Sequence, residues 1–151
     1  MSTDTDVKTS GSQESLSHLD RVGLEIERLP NPLTEEGVTG QELFQLLKER
    51  LSDAPVQVVS RIGALHLRGA PTLFLNVSLH ERDAESYVYV ITLELVQGVS
   101  VERLSDSGFV AAPTWRAQTV GITRKGQLPL LKDTIGATAD AFATDLADNA
   151  K

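Results

Sequence analysis

Residues 87–102 read Y-V-Y-V-I-T-L-E-L-V-Q-G-V-S-V-E, and no other stretch restricts the fold so tightly. Tyr87, Tyr89, Ile91, Leu93 and Leu95 occupy odd positions, with Val99 and Val101 later. Even positions begin with Val88 and Val90 and turn polar at Thr92, Glu94, Ser100 and Glu102. Successive side chains of a strand point to opposite faces, so this alternation predicts one long strand with a committed core side. Gln97-Gly98 breaks the rhythm, and a bulge or bend is expected there.

The run before it supplies a partner. Residues 72–82 place Leu73, Leu75, Val77 and Leu79 on one face and Phe74, Asn76, Ser78 and His80 on the other. Asp83-Ala84-Glu85 then separates two strands that both carry their apolar residues at odd numbers. Facing pairs must therefore sum to an even number. A three-residue loop meets this condition by pairing Arg82 with Ser86, and hence Leu79 with Tyr89, Val77 with Ile91 and Leu75 with Leu93. A four-residue loop would set each core residue opposite a polar one.

Other elements assemble around this hairpin. Residues 1–17 are rich in Ser, Thr, Asp and Gly without periodicity. They are expected to form a disordered tail, with 18–151 a single α+β domain. A first strand is expected over 20–29, with Val22, Leu24 and Ile26 inward, ended by Pro30 and Pro32. Thr39-Gly40-Gln41-Glu42 has capping-box spacing, in which the Thr39 hydroxyl accepts from the Glu42 N–H and the Glu42 carboxylate reaches back. The helix it opens runs to about Ser52 with Leu43, Phe44, Leu47 and Leu51 as its apolar stripe.

Residues 56–62 read as a short strand, 63–71 as a loop and 104–113 as a turn-rich loop. A fifth strand over 114–124 carries Trp115, Ala117, Thr119 and Gly121 on one face, and Arg116, Gln118, Val120 and Ile122 on the other. The last element is an amphipathic helix from Leu128, with Leu131, Ile135, Ala139, Phe142 and Leu146 recurring at helical spacing. Its first turn holds Pro129, where a missing donor does no harm. The order β-α-β-β-β-β-α describes an α+β two-layer sandwich, a mostly antiparallel sheet with two helices on one face.

Composition excludes several functions. With 14 Lys and Arg against 21 Asp and Glu, the chain carries a formal charge of −7. That field repels phosphate backbones, so no nucleic-acid partner is expected. Cysteine is absent, which removes disulfides and thiolate chemistry. No apolar run approaches ~18 residues, so the sequence offers no transmembrane segment.

Chemistry-bearing patterns are also missing. His18, His66 and His80 lie in the tail, a loop and a strand, without metal-ligand spacing. The sequence holds no nucleophile elbow and no glycine-rich phosphate cradle. His80 and Glu81 are strand neighbours that point to opposite faces and cannot act as an acid–base pair. No catalytic residue, metal site or cofactor is therefore assigned. What remains is the second face of the sheet, since two helices cover one face only. Its hairpin residues Phe74, Asn76, Ser78, His80, Val88, Val90, Thr92 and Glu94 are the candidate partner-binding surface, with simple solvation as the alternative, and Trp115 is a candidate anchor or else a large core residue closing the end of the sheet.

Several segments together resemble small bacterial envelope accessory domains: R-V-G-L-E-I-E-R-L, T-G-Q-E-L-F-Q-L-L-K-E-R-L, T-L-F-L-N-V-S-L with Y-V-Y-V-I-T-L-E-L-V-Q, and T-W-R-A-Q-T-V-G-I before a long final helix. Their order is similar to that of the outer-membrane lipopolysaccharide-assembly accessory lipoprotein. The resemblance implies a non-enzymatic binding or assembly-accessory role, a protein partner or self-association, and a lipid or glycolipid as a further class of partner. It implies the periplasm or outer-membrane periphery if an export signal has been trimmed; otherwise the expectation is cytoplasmic. The alternative is a cytosolic small-ligand-binding or chaperone-like protein that dimerises through its sheet. An enzyme built on loop residues is a third class.

Overall fold

The alternation that dominates the sequence becomes β5, Ser86–Val99, the longer strand of the hairpin at the middle of the sheet. Before it lies β4, Thr72–Glu81, and the two pair antiparallel in the register that the parity argument requires. Leu79 faces Tyr89, Val77 faces Ile91 and Leu75 faces Leu93. The Arg82 N–H donates to the Ser86 carbonyl at 3.0 Å across the three-residue loop. Leu73, Leu75, Ile91, Leu93 and Leu95 are all fully buried. A one-residue slip would have turned every one of them to the other face.

The computed structural model describes residues 7–60, 71–104 and 110–149. Among these, β1 (Lys8–Gly11), β2 (Arg21–Ile26), β3 (Gln57–Ser60), β4, β5 and β6 (Val110–Arg124) form one six-stranded sheet in the order β1-β6-β5-β4-β2-β3. The β1–β6, β6–β5 and β5–β4 pairings are antiparallel. In contrast, β2 runs parallel to both β4 and β3. Parallel neighbours need a crossover, and the segment holding α1 (Asn31–Glu35) and α2 (Gly40–Arg50) supplies it between β2 and β3. The fold is thus α+β with a mixed sheet. Most of the loop expected over 63–71, and the end of the strand expected over 56–62, lie outside the described residues.

One core joins helices and sheet. Leu43 and Leu47 of α2, and Ile135, Ala139, Phe142 and Leu146 of α3 (Leu131–Asn149), are buried together with the odd-numbered residues of β4 and β5. Burial of each large aliphatic or aromatic side chain stabilises the fold by about 1.5–3 kcal/mol relative to exposure. Thr39 caps α2 as expected, its hydroxyl accepting from the Glu42 N–H at 3.1 Å. The return half of the expected box is replaced, because the Glu42 carboxylate lies 3.4 Å from the Lys132 ammonium of α3. A second cap is made across the chain: Glu36 accepts from the Gly126 and Leu128 N–H groups, both at 2.9 Å, at the 3-10 turn Leu128–Leu130 that leads into α3.

Four expectations are corrected. The segment expected to be a disordered tail packs from residue 7 onward: β1 pairs with β6, and the 3-10 turn Gln13–Leu16 buries Leu16 completely. A single leucine among polar residues gives no period to read, yet it reaches the core. The bulge expected at Gln97-Gly98 lies instead on the facing strand, where Leu95 pairs with Trp115 and Val96 with Pro113, leaving Thr114 as the extra residue. Its carbonyl accepts from the Ser12 N–H at 2.9 Å, and its hydroxyl from the Gln97 amide at 2.8 Å, so the bulge is the point where the N-terminal segment is fastened. Residues 110–113, expected in a loop, begin β6. Finally, Pro32 does not merely stop the preceding strand but sits in the first turn of the short helix α1.

Candidate functional site

The face of the sheet turned away from the core is ordered by register. Four cross-strand rows run over β4, β5 and β6: Phe74, Glu94 and Arg116; Asn76, Thr92 and Gln118; Ser78, Val90 and Val120; His80, Val88 and Ile122. Lys8 of β1 extends the second row beyond Gln118, and Glu25 of β2 extends the first beyond Phe74. All eight sequence-predicted residues of this face therefore come together on one surface. His80 is exposed, and Phe74, Asn76, Ser78, Val88, Val90, Thr92 and Glu94 are half-buried.

Apart from Phe74, the first two rows are polar and laced sideways. Arg116 Nη2 donates to Glu94 Oε1 at 2.7 Å, Gln118 Nε2 to Thr92 Oγ1 at 3.1 Å, and Asn76 Nδ2 to Glu27 Oε2 at 2.7 Å. Such cross-strand pairs are ordinary sheet stabilisers. The last two rows are different. Val88 and Val90 adjoin Val120 and Ile122, which are 61% and 58% exposed. These four aliphatic side chains form a contiguous apolar patch bordered by Ser78 and His80.

Arg116, Gln118, Val120 and Ile122 are readable as one face of the fifth strand, but nothing in the sequence says which strand lies beside β5. The missing signal is adjacency rather than parity. Once β6 is known to neighbour β5, the patch doubles in width and its most exposed members come from β6.

Trp115 is corrected as an anchor. It is 1% exposed, sets its ring edge-on to Phe142 with centroids 5.0 Å apart, and donates its indole N–H to Asp145 at 2.9 Å. A buried indole needs a partner for its N–H, and a carboxylate on the final helix provides it. Position 115 has core parity, and the structure uses it accordingly.

At the hairpin end, the Asp83 carboxylate accepts from the Glu85 N–H at 2.8 Å and the Ser86 hydroxyl at 2.9 Å. The backbone N–H bond foremost, then the hydroxyl, hold its carboxyl below the usual range. Lys125 donates to Glu81 at 2.9 Å and stands 5.2 Å above the Tyr87 ring. The bond to Glu81 is the main cause that raises its ammonium above the ordinary lysine range. Glu81 is thus committed to the core-parity side, while His80 faces the patch. Among the described residues, no group of three or more His, Asp or Glu side chains is arranged to hold a metal ion. No described helix is long and apolar enough to cross a membrane.

No family model and no curated protein matches the chain. Among solved structures, it is similar to a dodecamer of a leucine-to-methionine variant of PelC from Paraburkholderia phytofirmans, at 16% identity and a TM-score of 0.47, over 91% of this chain and 97% of that one. A second PelC dodecamer from the same organism aligns at 13% identity and 0.42, over 92% and 96%. A minor lipoprotein from Acinetobacter baumannii aligns at 11% identity and 0.41, over 86% and 92%. At these scores the likeness is one of general chain path, and it carries no activity or partner across.

Proposed function

We propose that this chain is a non-enzymatic protein-association domain of the assembly-accessory kind, and that it binds through the open face of β4, β5 and β6. The observation that carries this reading is the patch of Val88, Val90, Val120 and Ile122, with two members more than half exposed. Isolated exposed aliphatics are normal on any protein, whereas a contiguous set on a sheet face, bordered by polar rows, has the composition of an interaction surface. Removal of its apolar area from water supplies about 25 cal/mol per Å², and the bonded ladder beside it offers a pre-ordered polar rim. A setting in the bacterial envelope accords with the sequence resemblance and is part of the same proposal.

The test places a photo-crosslinking amino acid at Val120 and, as a control, at Lys48 on α2. Irradiation is carried out in cells of the native host. Adducts of defined mass from position 120 and none from position 48 are the expected result. No adduct from position 120, in a chain that folds normally, would overturn the proposal.

A further inference from the structure

Across β5 and β6, Val88 pairs with Ile122, Val90 with Val120, Thr92 with Gln118 and Glu94 with Arg116. The Val88, Val90 and Thr92 rows set like beside like, and the Glu94 row sets opposite charges together. Consider a second copy laid face to face, related by a twofold axis that runs along the strands between β5 and β6. That operation exchanges β5 with β6 and keeps each row at its own height. Ile122 of the second copy then lies over Val88, Val120 over Val90, Gln118 over Thr92 and Arg116 over Glu94. Every row meets its own complement. A twofold set across the strands at the middle of these four rows would instead put Glu94 and Arg116 over Val88 and Ile122, burying charge on aliphatic side chains, which is costly.

We infer that this face is an isologous interface whose occupant is a second copy of the chain, related by a twofold parallel to β5 and β6. The inference rests on the proposed association face and specifies its partner. Closed twofold contacts require a self-complementary patch, and the β5–β6 stripe meets that condition row by row. Charge completes the argument. Glu94 and Arg116 already bond within one chain at 2.7 Å, with side chains 26% and 46% exposed. Stacked by the twofold, two such pairs form an alternating square in which each carboxylate has a guanidinium beside it and another above it. Aligned sheets pack about 10 Å apart, a spacing that valine and isoleucine side chains from both copies fill by interdigitation.

Charge reversal tests this without touching the core. Glu94→Arg makes both the β5 and β6 members of the Glu94 row positive, and Arg116→Glu makes both negative. Light scattering and sedimentation over a range reaching millimolar chain are expected to show a dimer for the wild type. Each variant alone should dissociate at least tenfold more readily. An equimolar mixture of the two should recover a heterodimer near wild-type affinity, and circular dichroism melts confirm that both are folded. A wild type that stays monomeric throughout overturns the inference while leaving the association face to the crosslinking test. Variants that dimerise as well as the wild type overturn it too, since the contact would lie elsewhere. So does a mixture that fails to pair.

If either reversal prevents folding, a nitroxide on Thr92→Cys replaces it, in a chain that otherwise has no cysteine. Dipolar coupling between the two labels at roughly one to two sheet spacings is expected. Its absence in a dimer of the labelled chain refutes the geometry.

Discussion

Truncating Leu16 to Ala probes the least expected contact in the fold. Leu16 lies in a segment whose composition reads as a tail, yet it is 0% exposed and belongs to the same core as Trp115 and Phe142. The segment is fastened around it. Ser12 N–H donates to the Thr114 carbonyl at 2.9 Å, the Gln97 amide donates to the Ser15 carbonyl at 3.2 Å, and the Ser15 hydroxyl to the Ser12 carbonyl at 2.6 Å. Gly11, with φ +105°, brings the chain so close to β6 that a Cβ there would lie 2.4 Å from the Thr114 carbonyl oxygen. Leu→Ala at a buried site costs about 2–5 kcal/mol, according to how far the cavity collapses. A short surface segment can settle inward, so the lower half of that range is expected, about 2–3 kcal/mol. For a domain of this size that lowers the midpoint by roughly 4–12 °C. Urea denaturation followed by tryptophan fluorescence measures it directly. Lys8→Ala, on the exposed strand β1, is the control and should change stability by less than about 0.5 kcal/mol. A Leu16→Ala loss below about 1 kcal/mol would show that the segment rests on the sheet without contributing to the core.

Three further outcomes follow from specific contacts. A Cβ at Gly121 would lie 2.4 Å from the Tyr89 hydroxyl, so Gly121→Ala should cost about 1–3 kcal/mol in thermal melts, and nearly nothing in a Tyr89→Ala background. Glu36→Ala removes the acceptor for the Gly126 and Leu128 N–H groups ahead of α3 and should cost about 0.5–2 kcal/mol, with exchange of those two amides accelerated. Asp83 is held below its ordinary range in the folded chain. Its contribution is therefore present above the unfolded-state value and lost as pH falls through the folded one. The wild type should be more stable than Asp83→Ala at neutral pH and converge with it in strong acid; a gap that persists there would refute the charge-based account.

The centre of the fold is legible in the sequence and its margins are obscure, for physical reasons. In the β4–β5 hairpin, alternation on both strands and a short loop leave one register, so Leu75–Leu93 and Val77–Ile91 follow from parity alone. Thr39 is readable because its spacing to Glu42 is a local device. Where a contact depends on something distant, no local pattern records it. Leu16 lacks apolar neighbours in sequence, Thr114 is the bulge to which Ser12 and Gln97 bond, and Glu42 turns to Lys132 on α3. The candidate site divides along the same line. Its β4 and β5 residues can be read from alternation, whereas Val120 and Ile122 join them only through the order of strands in the sheet. Trp115, readable from the sequence either as an anchor or as a core residue closing the sheet, takes the second role against Phe142.

The central claim is that Val88, Val90, Val120 and Ile122 form an open surface for a partner, on the far side of the sheet from one shared core. Carbene footprinting with residue-level mass spectrometry tests it most directly, on the dilute chain alone and again in host extract or at high concentration. The account predicts strong labelling of Val120 and Ile122 in the dilute chain, protection of all four when the partner is present, and silence at Ile91 and Leu93 in both states. Patch residues that resist labelling in the dilute chain, or that react equally in every condition, would contradict it.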